Sequence, residues 1–313
     1  MKTLETDANL IKAALLLYDA THDGRYLDQA RARYANDRIT FLDAASSLYT
    51  VHVLDDGSVC APQPRRFFAS VNGDMIWNGI ALWRITGQAH FYAEAIATAR
   101  AVAVTLSDER DIFVDLGGSN DVVEPLVEAM GDLAADEKLA FAHDWIVRNA
   151  AAALSARAPD GTFSRFFDGP PQQTSSIWES NGGLALEIEA AALDPGAVAA
   201  IGNGWQEGRL LNGALTELPA TVTFVGTGIA LLGMIGPACE TAHLRVFVDG
   251  LETFDQTGLW QNYGMPTGSA VRFAWRWPVA GKHTIRLETT AFQALGPTTV
   301  HLESMIVTST HDE

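Results

Sequence analysis

Cysteine, basic residues and long apolar runs are all scarce in this sequence, and each scarcity excludes a class of protein. Only two cysteines, Cys60 and Cys239, occur in 313 residues, too few for a disulfide framework or a thiolate metal centre. The 21 basic residues face 38 acidic ones, giving a formal net charge of -17, which disfavours nucleic acid and anionic membranes as partners. No stretch of 18 uncharged apolar residues occurs, so we expect no membrane span.

Several sequence motifs are missing as well. We find no GxSxG, no phosphate loop, no dinucleotide fingerprint and no metal-binding spacing of His, Asp and Glu. We therefore expect no metal and no cofactor. The N-terminus has no apolar core before Glu5 and no small-residue cleavage site, so the sequence contains no readable export signal. As written the chain is expected in the cytoplasm, whereas a start further upstream would allow secretion.

A repeated helical hairpin organises the first part of the chain. The segment 71–104 predicts a buried helix, with Asn72 and Asp74 as capping residues, a turn at Thr86 to Ala89 and a second helix. A shift of 65 residues lays 9–30 onto 74–95, and a shift of 47 relates 120–142 to the same segment. We therefore predict hairpins over 3–35, 72–106 and 120–156, and a further helix from about Trp178.

The second part of the chain has the alternation of β-strands. A short β-hairpin with Asp56-Gly57 at its turn is already predicted between the first two helical hairpins. From Gly202 onward, apolar residues recur with period two, and Asp249-Gly250 and Ala280-Gly281 occupy positions typical of hairpin turns. Six to eight short strands favour an antiparallel β-sandwich. One face of a strand should lie in its core, through Val271, Phe273, Trp275 and Trp277.

Two family resemblances agree with this division. The segments DANLIKAALLLYDATHDGRYLDQA and VNGDMIWNGIALWRITGQAHFYAEA resemble the recurrent hairpin of the six-hairpin (α/α) toroid superfamily, which includes unsaturated glucuronyl hydrolases, α-mannanases and N-acylglucosamine 2-epimerases. The segments TVTFVGTGIALLGMIGP, LRVFVDGLE and VAGKHTIRLE resemble galactose-binding-like β-sandwich modules of carbohydrate-active enzymes. The resemblances imply a partial toroid of seven or eight helices over 1–196 and a jelly-roll-like, carbohydrate-binding-module-like sandwich over 197–313.

Carboxylates and aromatic rings recur at the predicted helix starts. In an arc of hairpins the inner helices run in the same direction, so we expect their starts to meet at one cleft. Paired carboxylates suit acid–base cleavage of a glycosidic bond, and aromatic rings suit sugar faces. We predict Asp74 and Glu179 as acid and base, with Asp7 and Asp121 assisting. The predicted substrate-binding residues are Trp77, Trp178, Asn181, Arg65, Arg66, Trp260 and Tyr263.

Other interpretations of these residues remain open. An Asp at a helix start caps backbone N–H groups, a Trp on a helix packs in a core, and Arg65-Arg66 suits a solvated loop. The favoured function is a glycoside hydrolase or a polysaccharide lyase acting on an oligo- or polysaccharide. The alternatives are a glycan-binding protein with a degenerate toroid, and a chain whose missing helices come from another polypeptide, including a homo-oligomer that completes the arc.

Overall fold

The computed structural model describes most of the chain, and contacts divide it into two compact units. The first unit comprises Met1–Thr105 and Val122–Asp144, and the second comprises Leu106–Asp121 and Trp145–Glu313. The predicted domain boundary at residue 196 lies inside the second unit and stays a prediction. The described residues are 2–55, 67–114, 123–171, 177–194, 209–212, 218–235, 242–256, 268–291 and 302–308, with positions 196, 199 and 205.

Seven helices lie in the described part of the chain. They are α1 (Leu4–Thr21), α2 (Gly24–Phe41), α3 (Ala69–Thr86), α4 (Ala89–Thr105), α5 (Glu124–Ala135), α6 (Ala140–Ser155) and α7 (Ile177–Leu193). In the first unit α1 packs against α2 and α3, and α3 also packs against α4 and α5. The core of this unit contains side chains from all of the first four helices, among them Ile11, Leu15, Tyr34, Met75, Leu82 and Phe91.

The 65-residue repeat is confirmed at the level of individual atoms. Helix α1 begins 65 residues before α3, and α2 begins 65 residues before α4. Thr21 and Thr86 each donate a hydroxyl hydrogen bond of 2.6 Å to the carbonyl four residues earlier. The next residue in each hairpin is left-handed, with φ of 56° at His22 and 70° at Gly87. A left-handed residue ends a helix because it turns the chain out of the helical path. The predicted turns after Thr21 and Thr86 are therefore confirmed.

The start of α3 differs from the prediction. The helix begins at Ala69, and neither Asn72 nor Asp74 caps it, because both lie inside the helix and are buried. The side-chain oxygen of Asn72 accepts a hydrogen bond of 2.8 Å from the Tyr49 N–H, and its amide nitrogen donates to the carbonyls of Tyr49 and Phe68. Asn72 therefore ties a loop segment to the helix instead of capping it.

The predicted β-hairpin after the first helical hairpin stays a prediction, because its second arm lies outside the described residues. Three two-residue strands follow α2, namely β2 (Leu42–Asp43), β3 (Leu48–Tyr49) and β4 (His52–Val53), and a fourth, β1 (Lys2–Thr3), precedes α1. Strand β3 pairs with β2, and β4 pairs with β1 across a long sequence separation. The predicted turn at Asp56-Gly57 lies outside the described residues.

The second unit also contains a six-stranded antiparallel sheet. Its order is β5-β10-β6-β9-β7-β8, and its strands are β5 (Arg209–Asn212), β6 (Ala220–Ile235), β7 (Ala242–Val248), β8 (Leu251–Gln256), β9 (Gly268–Ala291) and β10 (Leu302–Thr308). The turn at Asp249-Gly250 is confirmed, with φ of 49° and 91°. The six described strands of this region form one sheet, so the predicted two-sheet sandwich is not shown.

Two further predictions for the sheet have different outcomes. The buried face of β9 is confirmed, because Val271, Phe273, Trp275 and Trp277 are all at most 8% exposed. The predicted hairpin at Ala280-Gly281 is wrong, because both residues lie within β9, and Gly281 pairs with Gly226 of β6. The ladder is irregular between Gly226 and Gly228, so this glycine marks a bulge and not a chain reversal.

Candidate functional site

A close approach of α3 and α5 creates the setting of the candidate site. A Cβ added to Gly73 would lie 2.3 Å from the backbone nitrogen of Leu126 and 2.5 Å from its Cα. Only glycine allows the two helices to approach so closely. Asp74, the next residue, is consequently held beside α5 and is only 4% exposed.

Three helices contribute charged or aromatic side chains around Asp74. The Nζ of Lys12, from α1, lies 2.6 Å from Oε2 of Glu128, from α5. The same Nζ lies 4.9 Å from the centroid of the Trp77 ring, from α3, within the range of a cation–π interaction. One lysine thus joins the carboxylate of one neighbouring helix to the indole of another.

Burial raises the pKa of the Asp74 carboxyl to about 6. The positive charge of Lys12 lowers this pKa in part, whereas the nearby charges of Glu128 and Glu5 raise it. Among the described residues, no hydrogen bond involves the Asp74 side chain. A carboxyl group with a pKa near 6 exists in both protonation states close to neutral pH, which is the property that a general acid or base needs.

A cavity of about 250 Å³ opens beside Trp77. Trp77 and aliphatic side chains of α1 and α3 form its apolar lining, and its polar lining consists of Asp19, Arg84 and Asp132. Arg84 also contacts Asp136 and Glu137, at 3.1 and 2.8 Å. The cavity lies along the second halves of α1 and α3, whereas the predicted cleft was at the helix starts.

The structure places few of the predicted site residues together. Asp74 and Trp77 lie on successive turns of α3. Asp7 instead forms an ion pair with Arg33 of α2, with 2.6 Å between Oδ1 and Nη1. Asn181 is partly buried in α7, which also contains Trp178 and Glu179. The side chains of those two residues lie outside the described part, as do Arg65, Arg66, Asp121, Trp260 and Tyr263. The pairing of Asp74 with Glu179 stays a prediction.

Sequence reasoning missed the two charged partners of this site. In the 65-residue register Lys12 corresponds to Trp77, and in the 47-residue register Glu128 corresponds to Ala81, one helical turn after Trp77. Both residues therefore occupy the same inner face as the predicted aromatic residue. The repeat contained this signal, but the prediction considered only the helix starts.

A second group of buried charges lies in the other unit. Oδ1 of Asp108 accepts hydrogen bonds from the N–H groups of Arg110 and Ile112, at 2.9 and 3.1 Å. Asp168 accepts from Nη1 of Arg110 at 2.9 Å, and Nη1 of Arg276 lies 4.0 Å away. Burial and the neighbouring Asp168 raise the pKa of Asp108. Arg276 belongs to β9, so its approach to Asp168 brings this loop next to the sheet, and the Trp205 indole also donates to the Asp168 carbonyl.

Two other kinds of site were searched for in the described residues. Within them, no three His, Cys, Asp or Glu side chains are grouped in a way that could hold a metal ion. None of the helices that the structure describes is long and apolar enough to cross a membrane.

Comparison with known proteins identifies the fold of the helical part. No protein-family model and no curated protein matches the sequence. An inactive α-1,6-mannanase variant from Salegentibacter sp. HEL1_6, with two consecutive aspartates replaced and α-1,6-mannotetrose bound, matches with a TM-score of 0.55 and 19% identity, over 62% of this chain and 60% of that one. The Lin0763 protein from Listeria innocua matches with a TM-score of 0.54 and 20% identity, over 62% and 56%.

These similarities establish architecture. The mannanases are (α/α) toroids, and the helical hairpins described above have the same fold. The chain spans about 56 to 60% of the length of these similar structures. At about 20% identity the likeness concerns the fold alone, so activity is argued from the site.

Proposed function

We propose that this protein is a carbohydrate-active protein of the glycosidase type, which binds an oligosaccharide in the cavity beside Trp77. The observation that carries the proposal is the environment of Asp74. This carboxyl is buried without capping its helix, has a pKa of about 6 and lies beside Lys12 and Glu128. Capping of α3 therefore does not explain why an aspartate is buried at this position.

The proposed chemistry follows from these positions. Trp77 offers an indole face to the apolar face of a sugar ring, and Asp19, Arg84 and Asp132 offer hydrogen bonds to its hydroxyl groups. Asp74 lies one helical turn before Trp77 and does not itself line the cavity, so the proposed sugar chain extends past the indole to Asp74, which in its protonated form donates its proton to the leaving glycosidic oxygen as general acid. A glycosidase needs a second carboxylate as nucleophile or base, and the described candidate nearest to this role is Glu128. Glu179 remains the predicted alternative.

The fold supports a substrate class. The similar Salegentibacter enzyme is an α-1,6-mannanase and binds α-1,6-mannotetrose, so we propose α-linked mannose oligosaccharides as the first substrates to test. Two consecutive aspartates are replaced in the inactive variant of that enzyme. Here Asp74 follows Gly73, and two consecutive aspartates occur once in the sequence, at Asp55-Asp56. Asp56 lies outside the described residues.

A second candidate function is glycan binding without hydrolysis. It is favoured by the ion pair that already occupies Glu128, because a carboxylate held by Lys12 at 2.6 Å is less free to approach a sugar. Under this proposal a two-sheet sandwich over 197–313 assists through Trp260 and Tyr263, as its resemblance to carbohydrate-binding modules implies. The two candidates differ in whether the bound sugar is cleaved.

One experiment separates the two candidates. Binding of α-1,6-mannotetraose is measured by calorimetry and its cleavage by product chromatography, for the wild type, Asp74→Asn and Trp77→Ala, with Asp144→Asn as an exposed control. Hydrolysis predicts that Asp74→Asn loses at least about 100-fold in rate but keeps binding, while Trp77→Ala weakens binding about tenfold or more.

Each result has a defined meaning. Binding without products from the wild type supports the second candidate and excludes the first. If neither binding nor cleavage occurs with mannose, glucose or uronic acid oligosaccharides, both proposals are wrong. Thermal unfolding of Trp77→Ala distinguishes a lost contact from a lost fold.

A further inference from the structure

Asn78 is fully buried in α3 and uses only one side of its amide group. Its Nδ2 donates a hydrogen bond of 3.0 Å to the carbonyl of Ala8 in α1, and the residue is 0% exposed. Its Oδ1 is buried as well, and it has no hydrogen-bond partner within the part of the chain that the structure describes. Leaving a buried acceptor without a donor costs free energy, so we expect some group to donate to this oxygen.

The amide of Asn78 is held in this orientation. If it rotated by half a turn, Oδ1 would face the carbonyl oxygen of Ala8, and two acceptors would oppose each other. Two other asparagines that are buried in helices, Asn72 and Asn149, have no unused oxygen. Oδ1 of each accepts a hydrogen bond of 2.8 Å from a backbone N–H group. Asn78 therefore differs from both in having an acceptor that is fixed and unused.

The polar side chain one helical turn before Asn78 is that of Asp74. Residues four apart share one face of a helix, and the later side chain leans toward the earlier one because Cα–Cβ bonds tilt toward the N-terminus. The contact with Ala8 agrees with this direction, since Ala8 corresponds in the 65-residue repeat to Gly73, the residue before Asp74. The Asn78 amide is thereby brought to the level of Asp74.

The protonation state of Asp74 decides whether the two side chains can bond. An ionised carboxylate has only acceptors, whereas a protonated carboxyl has one O–H donor. The charged groups that face Asp74 are Glu5 and Lys12 of α1 and Glu128 of α5. The two glutamates favour the protonated form and Lys12 opposes it, but Lys12 is itself paired with Glu128. Protonation therefore supplies the buried oxygen of Asn78 with a donor that the ionised form lacks.

We propose that Asn78 is the positioning residue of Asp74, whose protonated carboxyl donates a hydrogen bond to Oδ1 of Asn78 in the free protein. The hydrogen bond itself does not depend on the function proposed above, but its part in catalysis rests on that function. When a sugar is bound, the glycosidic oxygen replaces Oδ1 as the acceptor. The proton then moves to the leaving oxygen as the glycosidic bond breaks, and Asp74 is left ionised.

The first test compares the pKa of Asp74 in Asn78→Leu and in the wild type by carboxyl carbon NMR. Leucine has as many side-chain heavy atoms as asparagine, so the acceptor is lost while water stays excluded. Loss of the hydrogen bond should lower the pKa of Asp74 by about 0.5 to 1. If Asn78 only kept water away, leucine would do so equally well, and the pKa would stay the same or rise. Either of those results overturns the proposal.

The matched control is Asn149→Leu, the same substitution in the other unit. Asn149 is 0% exposed, and both sides of its amide are bonded. This variant should lose at least as much stability as Asn78→Leu in urea unfolding, yet it should leave the pKa of Asp74 unchanged. An equal fall in both variants would show that a loosened fold causes it, and the proposal would be wrong.

A measurement on the unchanged protein decides the question if Asn78→Leu does not fold. The side-chain amide signals of Asn78, followed by nitrogen–proton NMR, should titrate with the same midpoint as the Asp74 carboxyl. In Asp74→Asn that midpoint should be absent. Amide signals of Asn78 that do not respond to the titration of Asp74 contradict the proposed hydrogen bond.

Cleavage separates this inference from the proposed function. A general acid must be protonated in the free enzyme, so kcat/KM for α-1,6-mannotetraose should fall as the pH rises through the pKa of Asp74. Asn78→Leu should move this limb to lower pH by the amount that NMR measures. A lowered pKa without any cleavage by the wild type supports the hydrogen bond and rejects the hydrolase. Cleavage whose pH limb does not move rejects the role of Asn78 alone.

Discussion

Two buried aspartates, one in each compact unit, have raised pKa values but different surroundings. Asp108 accepts two backbone N–H hydrogen bonds, and the neighbouring Asp168 is held by Arg110 and approached by Arg276. Asp74, in the first unit, has no hydrogen bond to any described residue and lies beside Lys12 and a ring that lines a cavity. Burial is the largest cause of the raised pKa in both places, so a raised pKa does not by itself identify a functional group.

The difference lies in what the surrounding fold does with the carboxyl group. Around Asp108 and Asp168, the acidic oxygens close a turn and bind arginines, and these contacts serve the structure. At Asp74 the hydrogen-bonding capacity of the carboxyl is left for something else. We therefore expect substitutions in the second unit to cost stability, and substitutions at Asp74 to cost activity.

Removing the acid from the arginine group should have the largest effect. Asp168→Ala removes a buried carboxylate that Arg110 binds and the buried Arg276 approaches, so we expect the free energy of unfolding to fall by about 4 kcal/mol. Urea unfolding measures it. Asp111→Ala, which removes a surface ion pair with Arg148 whose aspartate is 74% exposed, should change it by less than about 1 kcal/mol. Equal effects would mean that the buried group is not structural.

Closing the space at Gly73 should have the next largest effect, on the other side of the comparison. Gly73→Ala places a methyl group against the α5 backbone, which cannot rotate away, and should cost about 3 kcal/mol. Gly24→Ala is the matched control, because no atom lies within 4 Å of its added Cβ. The control should be neutral or slightly stabilising in the same urea titration. A neutral Gly73→Ala would contradict the close packing that holds Asp74 in place.

The sequence predicted the hairpins and their turns because their causes are local. Thr86 and Gly87 end α3 through a hydroxyl hydrogen bond and a left-handed residue, and both signals lie within four residues of each other. The predicted start of α3 was wrong because the actual start depends on a contact with a distant segment of the chain. Asn72 bonds to Tyr49 instead of capping the helix, and no local pattern contains that contact.

The candidate site was predicted in part for the same reason. Asp74 and Trp77 were found from their own helix, but Lys12 and Glu128 join them only when α1 and α5 flank α3. Gly281 similarly suggested a hairpin turn, whereas its small size serves a bulge in β9 beside the His283 ring. Residues whose role depends on a neighbouring element were the ones that sequence analysis misassigned.

Stability should depend on pH through Asp74. Its pKa in the folded state is raised from 3.8 to about 6, so the stability it contributes is complete below pH 4 and is lost as the pH rises through 6. Asp74→Asn removes this dependence. Relative to the wild type, its free energy of unfolding should therefore increase by about 2 kcal/mol when the pH is raised from 4 to 8. Urea unfolding at both pH values measures the difference.

A control with the opposite sign is available in the same unit. The Asp23 side chain is bound by Arg25, which lowers its pKa, so its contribution is present above the unfolded pKa and is lost as the pH falls. Asp23→Asn should therefore lose stability at neutral pH and not gain it. A wild-type to Asp74→Asn difference that is the same at pH 4 and pH 8 would show that Asp74 does not titrate as proposed.

The smallest effect should come from Lys12→Met, which keeps an apolar stem beside Trp77 but removes the charge. Lys12 lowers the pKa of Asp74, so its loss should raise that pKa further, by less than about 1, as followed by carboxyl carbon NMR. Lys2→Met is the control, since Lys2 is exposed and does not contribute to this pKa. An unchanged pKa would mean that Lys12 does not act on Asp74, and the three-helix arrangement would then be a surface ion pair beside a core tryptophan.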